Sequence, residues 1–282
     1  MNSFNNSRLN NFSSGSPRPI YWQSGLSLIE LMVAIVIGLI LLSGVFTIFM
    51  SNKQSYRVQE NMGRVQENGR FAIDIMARTL RMTGWQGDNV DEWSNGSLTA
   101  SNGGQALSGT NNDTDNGNTI LNGSDTITVI YQGNTDGFVK DCLGNTVPVG
   151  VNVQNTFRVN TTAGGVVGAT AGTVGQLECV TTNGGTVTTS ALIDGVEGFQ
   201  IQYGVDTDND RAANSYVSGD NVTDSDDVIS VRINLLLMTN ADRLAVIPAN
   251  NTYNLLDFSF TEPGDERLRR RFSTTINMRN RL

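Results

Sequence analysis

The chain has 282 residues, 38% of them hydrophobic and 16% charged, which fits one or two globular domains. It contains no histidine, and this excludes Ser-His-Asp and Cys-His sites, a histidine general base and the usual histidine-containing zinc centres. Lys53 and Lys140 are the only lysines, so Schiff-base or Ser-Lys chemistry has just two candidates, and the composition favours a structural or binding protein over an enzyme.

The net charge of −8 is unevenly distributed. Residues 1 to 25 hold Arg8 and Arg18 and no acid. From residue 83 onward there are 23 acids against 11 bases, yet the last twenty residues carry six arginines against Asp265 and Glu266. An acidic body argues against nucleic acid as a partner, because phosphate contacts require a basic face.

Leu26 to Met50 is a 25-residue apolar run with one charge, Glu30. At ~1.5 Å per residue it spans a hydrocarbon core of about 30 Å, so it reads as a transmembrane helix. Basic residues before it and an acidic, cysteine-containing body after it predict a cytoplasmic N-terminus and an exported body. The run is too long for an ordinary secretory signal and lacks a small-x-small exit. Gly25 stands immediately before it. Glu30 follows five residues later, where an isolated carboxylate costs at least ~2.5 to 3.5 kcal/mol, so it requires a partner.

The string Gly25-Leu26-Ser27-Leu28-Ile29-Glu30-Leu31-Met32-Val33-Ala34 resembles the class III leader junction of type IV prepilins and type II secretion pseudopilins. The resemblance implies that a prepilin peptidase cuts between Gly25 and Leu26 on the cytoplasmic side, removes residues 1 to 25 and N-methylates the new Leu26 amine. In that family the first mature residue is usually Phe; here it is Leu26. Glu30 would pair with the terminal amine of a neighbouring subunit as helices stack in a filament.

From Ser51 to Met82 there is no proline, and apolar or small residues recur at 58, 62, 65, 69, 72, 76 and 80, the spacing of one helical face. Glu60 with Arg64, and Asp74 with Arg78, stand at i,i+4. The string from Gln66 to Trp85 is similar to the end of the long helix in PilW-type minor pilins. Many relatives carry a cysteine just beyond it; Trp85-Gln86-Gly87-Asp88 has none.

Residues 86 to 124, rich in Gly, Asn, Ser and Thr, read as a long surface loop. Strands are predicted over Asp125 to Tyr131, Gly198 to Tyr203, Val228 to Met238 and Arg271 to Met278. Gln176 to Thr182 and Thr186 to Leu192 flank Asn183-Gly184-Gly185, a hairpin signal. Val228 to Met238 and Arg269 to Arg281 also resemble the last strands of PilW-type proteins. The implied fold is α+β and type IV pilin-like: a long N-terminal helix, its first half (26 to 50) transmembrane and its second (51 to 84) exposed, against an antiparallel β-sheet head from 85 to 282.

Cys142 and Cys179, the only cysteines, are expected to form a disulfide in an oxidising compartment. Asp206, Asp208 and Asp210 alternate as calcium ligands do. An EF-hand would need glycine at Arg211 and glutamate at Val217, so the alternatives are a different calcium site, completed from Asp220, Asp224, Asp226 and Asp227, or a solvated acidic loop. Arg267 to Arg271 read as a solvated strand edge or as an anion or partner surface.

The resemblance implies a minor pilin with no catalytic residue and no required cofactor, Ca²⁺ being the possible exception. It would help initiate type IV pili and enter them at or near the tip, supporting twitching motility or adhesion. Its partners would be other minor pilins, the major pilin, the prepilin peptidase, the inner-membrane assembly platform and the membrane itself. It would sit in the inner membrane with a periplasmic head before assembly and in the extracellular pilus afterwards. A type II secretion minor pseudopilin is the alternative, and a membrane-anchored hydrolase a distant one.

Overall fold

The computed structural model describes residues 25, 27–87, 106–113, 123–160, 175–224, 227–240, 251–262 and 264–280. The chain forms two units, Met1–Asn52 and Lys53–Leu282, and one helix, α1 (Leu28–Leu80), contributes to both. In the first unit, the backbone N–H of Leu31 donates to the Ser27 carbonyl at 3.1 Å. The helix then continues without proline, and every residue from 28 to 52 is exposed. Two of its polar side chains are satisfied locally: the Ser43 hydroxyl donates to the Ile40 carbonyl and the Thr47 hydroxyl to that of Ser43, at 2.8 and 2.9 Å.

In the second unit the helical stripe behaves as its spacing predicts. Val58 and Met62 are half-buried, while Val65, Gly69, Ala72, Met76 and Leu80 are buried. Ile75, Ala77 and Thr79 are buried too, so the last turns are covered on most sides and the Thr79 hydroxyl turns inward to the Ile75 carbonyl. Both i,i+4 ion pairs form, Glu60–Arg64 at 2.9 Å and Asp74–Arg78 at 3.0 Å. Fully solvated, each contributes only a few tenths of a kcal/mol, so the stripe holds this half in place. Beyond Leu80 the chain turns through Gly84, at φ 73°, whose N–H donates to the Ile130 carbonyl.

The head is one antiparallel sheet with strand order β1 (Leu107–Asp113), β2 (Ser124–Gln132), β3 (Asn152–Asn160), β4 (Gly175–Asn183), β5 (Thr186–Val205), β7 (Val228–Met238), β10 (Arg269–Asn277); the short β6 (Ser215–Val217) pairs with β5. A separate hairpin joins β8 (Thr252–Leu255) to β9 (Phe258–Thr261). The hairpin signal at Asn183 is realised: β4 turns into β5 through Gly184 and Gly185, both at positive φ as a two-residue turn of matching twist requires.

β5 is long because it serves two neighbours. Its first half pairs with β4 and its second with β7, and register shifts beside Val196 mark the changeover. Tyr131, Phe157, Phe199, Ile201, Ile233 and Leu235 fill the core with the Val65-to-Leu80 face of α1. Gly69 lies so close to the Phe272 ring of β10 that a Cβ would overlap it. The expected loop over 86 to 124 is corrected between 107 and 113, which form β1. This strand depends on tertiary contacts: Leu107 is buried, and the Tyr203 side chain takes the space a Cβ at Gly109 would need. The remaining parts of that stretch from 88 to 105 and 114 to 122 lie outside the described residues.

Candidate functional site

At the N-terminal junction Gly25 is exposed, and Leu26 lies outside the described residues. The acidic side chain of Glu30 falls in the first turn of α1, where the partial positive charge of the free N–H groups favours it. With Ile29, Val33, Ala34 and Ile37 it lines a shallow hollow on the helix surface. This is one face, since these positions are three or four residues apart. Leu28 is 74% exposed and Phe46 63%. A continuous apolar surface of about 20 residues, bared on every side, requires lipid or other helices as its surroundings.

In the head, Cys142 and Cys179 form the disulfide, with Cα atoms 6.4 Å apart and both residues buried. It joins the loop after β2 to β4. Asp141 shapes that loop by accepting the backbone N–H groups of Leu143 and Asn145 at 2.9 and 2.8 Å.

Asp206, Asp208 and Asp210 do converge, each placing a carboxylate oxygen within 4.8 Å of the others. Asp206 is buried and organises the loop, accepting backbone N–H groups from Asp210 at 3.2 Å and Arg211 at 2.9 Å. Asp208 and Asp210 are exposed. Asn209 and Arg211 both take positive φ, so the loop is tight despite having no glycine there. Of the other acids considered, Asp227 touches the loop through its backbone carbonyl, which accepts the Asp206 N–H at 2.9 Å. Asp226 lies outside the described residues.

The arginine-rich closing strand differs from a solvated edge at its centre. Arg270 and Arg271 are exposed, but the side chain of Arg269 is 1% exposed and faces a Glu197 side chain buried to the same degree. The guanidinium donates from Nε and Nη2 to both Glu197 oxygens, at 2.6 and 2.8 Å. It also donates from Nη1 and Nη2 to both Asp265 oxygens, each at 2.8 Å. Burial still pushes the Glu197 carboxyl above its ordinary range against the opposing pull of Arg269, while the hydrogen bond from Arg269 holds Asp265 below its range. The physical reason is the changeover in β5: Glu197 is trapped where that strand shifts partners, and only an equally buried cation satisfies it.

Asp125 was expected only as the start of a strand. It is 1% exposed and accepts the backbone N–H of Asn112 at 2.8 Å and of Ile201 at 2.6 Å, tying the irregular end of β1 to the middle of β5. Burial, outweighing those two bonds, raises its carboxyl to about 7. The sequence signal was an acid opening an otherwise apolar β-branched run.

Residues 157–280 match the family described as Type IV Pilus-assembly protein W, and residues 23–46 match the prokaryotic N-terminal methylation motif. None of the curated proteins compared matches the chain. Among solved structures it is similar to a type IV-like pilin from Thermus thermophilus, at 14% identity and a TM-score of 0.44, covering 77% of this chain and 98% of that one. The first match contains β4, β5, β7, β10 and Arg269; the second contains Gly25, Glu30 and the bare helix.

Proposed function

We propose that this chain, which carries a PilW domain and the N-terminal methylation motif of prepilin-type proteins, is a minor pilin of a type IV pilus. Cleavage between Gly25 and Leu26 removes the basic leader on the cytoplasmic side and creates a Leu26 amine for methylation. The helix then holds the subunit in the inner membrane with its head in the periplasm. Through the assembly platform it joins other minor pilins and the major pilin, at or near the tip, to start a filament that serves twitching or adhesion.

The observation that carries this reading is an apolar helix bared on all sides with one carboxylate in its first turn. In a filament, neighbouring helices replace lipid, and Glu30 meets the amine that cleavage has freed, which offsets the burial of both charges.

The test is a pair of variants in the native host. Gly25→Ala should leave the precursor at full mass. Glu30→Ala should be processed yet absent from sheared filaments. Normal trimming of Gly25→Ala, or unchanged incorporation of Glu30→Ala, removes the basis of the reading. If deletion leaves piliation and twitching intact but traps secreted proteins, the type II secretion pseudopilin is the right assignment instead.

We further read the Asp206, Asp208 and Asp210 loop as a Ca²⁺ site. Three carboxylates within 4.8 Å suit a hard cation that takes six to eight oxygens, the remainder coming from backbone and water.

A further inference from the structure

Sheet edges expose unpaired N–H and C=O groups, and proteins usually blunt them with charge, proline or irregularity. Among the described residues, the outer edges of β10 and β1 are treated in that way. The outer edge of β10 carries the exposed Arg270 and Arg271. β1 is broken by a register shift between Thr110 and Asp113, and Gly219 lies against its Gly109.

The side of the first half of β5 that faces away from β4 is bare among the described residues. Thr186 to Asp194 of β5 pair with β4 on one side, while β7 joins β5 only from Val196 onward. Among the described residues no strand covers the other side of that stretch. From Thr186 to Ile193 there is neither charge nor proline, Thr186 to Ala191 are all exposed, and Val187 is 65% exposed.

We infer that this edge is a strand-addition surface that pairs antiparallel with the same edge of a second copy of the chain. The segment is self-complementary: a two-fold axis through the same edge of both copies sets a residue opposite its own counterpart, and centring the pair on Thr188 places Thr188 opposite the partner's Thr188 and Val187 opposite the partner's Thr189. The molecule already uses such contacts within its own antiparallel ladders. Hydroxyls meet across strands at Thr110–Thr126 and Thr128–Thr156, both 2.8 Å, and at Thr252–Thr261, 3.1 Å. These are directly opposed positions in register. Main-chain bonds supply the attraction and the uncharged side chains permit close approach.

The acidic heads oppose this pairing, since each repels its own copy. Salt must therefore strengthen the association, the reverse of an interface held by ion pairs. The inference rests on the sheet alone and not on the filament reading, so the two can fail separately.

The test uses the full chain in mild detergent. Sedimentation should show a reversible dimer that tightens with added NaCl and weakens about tenfold in Thr188→Lys, which places two lysines side by side across the two-fold axis. Mixed Val187→Cys and Thr189→Cys chains should form a disulfide-linked dimer in excess of either variant alone. Ser190→Lys serves as the second charged variant if Thr188→Lys lowers the melting temperature of the head. A monomer at every concentration overturns the inference. So does a dimer indifferent to both lysines, which would be held by the apolar helix, or equal cross-linking in all mixtures.

Discussion

Asp125 turns the closure of the sheet into a measurable pH dependence. Its carboxyl stands at about 7 in the folded head against 3.8 when unfolded, so between those values the native state holds a proton that the unfolded chain has lost. Stability from this group is therefore complete below about pH 4, declines as pH rises, and is gone above about pH 7. Three pH units at 1.36 kcal/mol each give a span on the order of 4 kcal/mol. For a head of this size that corresponds to roughly 8 to 16 °C in melting temperature.

Asp125→Asn removes the titration but keeps the shape. Its amide retains one acceptor, leaving one of the two N–H groups of Asn112 and Ile201 unmatched at a cost of about 1 to 3 kcal/mol. The assay is thermal unfolding of wild type and variant at pH 5, 6, 7 and 8 in the same detergent. Wild type should be the more stable at pH 5, and the gap should narrow or reverse by pH 8. Other carboxylates titrate in both proteins and cancel in the difference. Parallel profiles would show that Asp125 is solvated and would refute the reasoning.

Three further outcomes follow from the head. Arg269→Met strands the buried Glu197 and should cost about 3 to 5 kcal/mol at pH 8, and less as pH falls, since burial already raises the Glu197 carboxyl; adding Glu197→Leu should restore much of the loss in denaturant titrations. Reducing Cys142–Cys179 opens a long loop and should lower stability by about 4 kcal/mol, with no thiol labelling before reduction; immediate labelling would contradict the bridge. Millimolar Ca²⁺ should raise the melting temperature, and Asp208→Asn with Asp210→Asn should abolish the rise; an unchanged wild type retires the calcium reading.

What the sequence discloses depends on how far apart the interacting residues are. The α1 stripe, the β2 and β7 runs and the Asn183-Gly184-Gly185 turn are written in periods of a few residues, and each forms where its pattern stands. The Gly25 and Glu30 junction is equally linear. β3 alternates as strictly as any strand, but Asn155 occupies a buried position to accept the Cys142 N–H at 3.0 Å, and a polar residue in an inward slot conceals the pattern. β1 has no strand signature because its stability comes from Tyr203 and Asp125. The Arg269–Glu197 pair joins residues 72 apart, and nothing local separates Arg269 from its exposed neighbours.

The side-chain amide of Asn280 reaches back to the turn that follows α1, donating toward the carbonyl oxygens of Arg81, Met82 and Thr83 at 3.4, 3.5 and 3.2 Å. These carbonyls lie in the turn just past the last residue of α1. The contacts span 197 to 199 residues, so the turn after the helix is fastened by residues synthesised long after it. Phe272 on Gly69 is likewise a contact with a much later residue. The head must therefore remain unfinished until residues 272 to 280 have been made, and such long-range closure is slow. A chain cut after Met278 would lose these Asn280 contacts while keeping every described strand, separating the closing of the molecule from the building of its sheet.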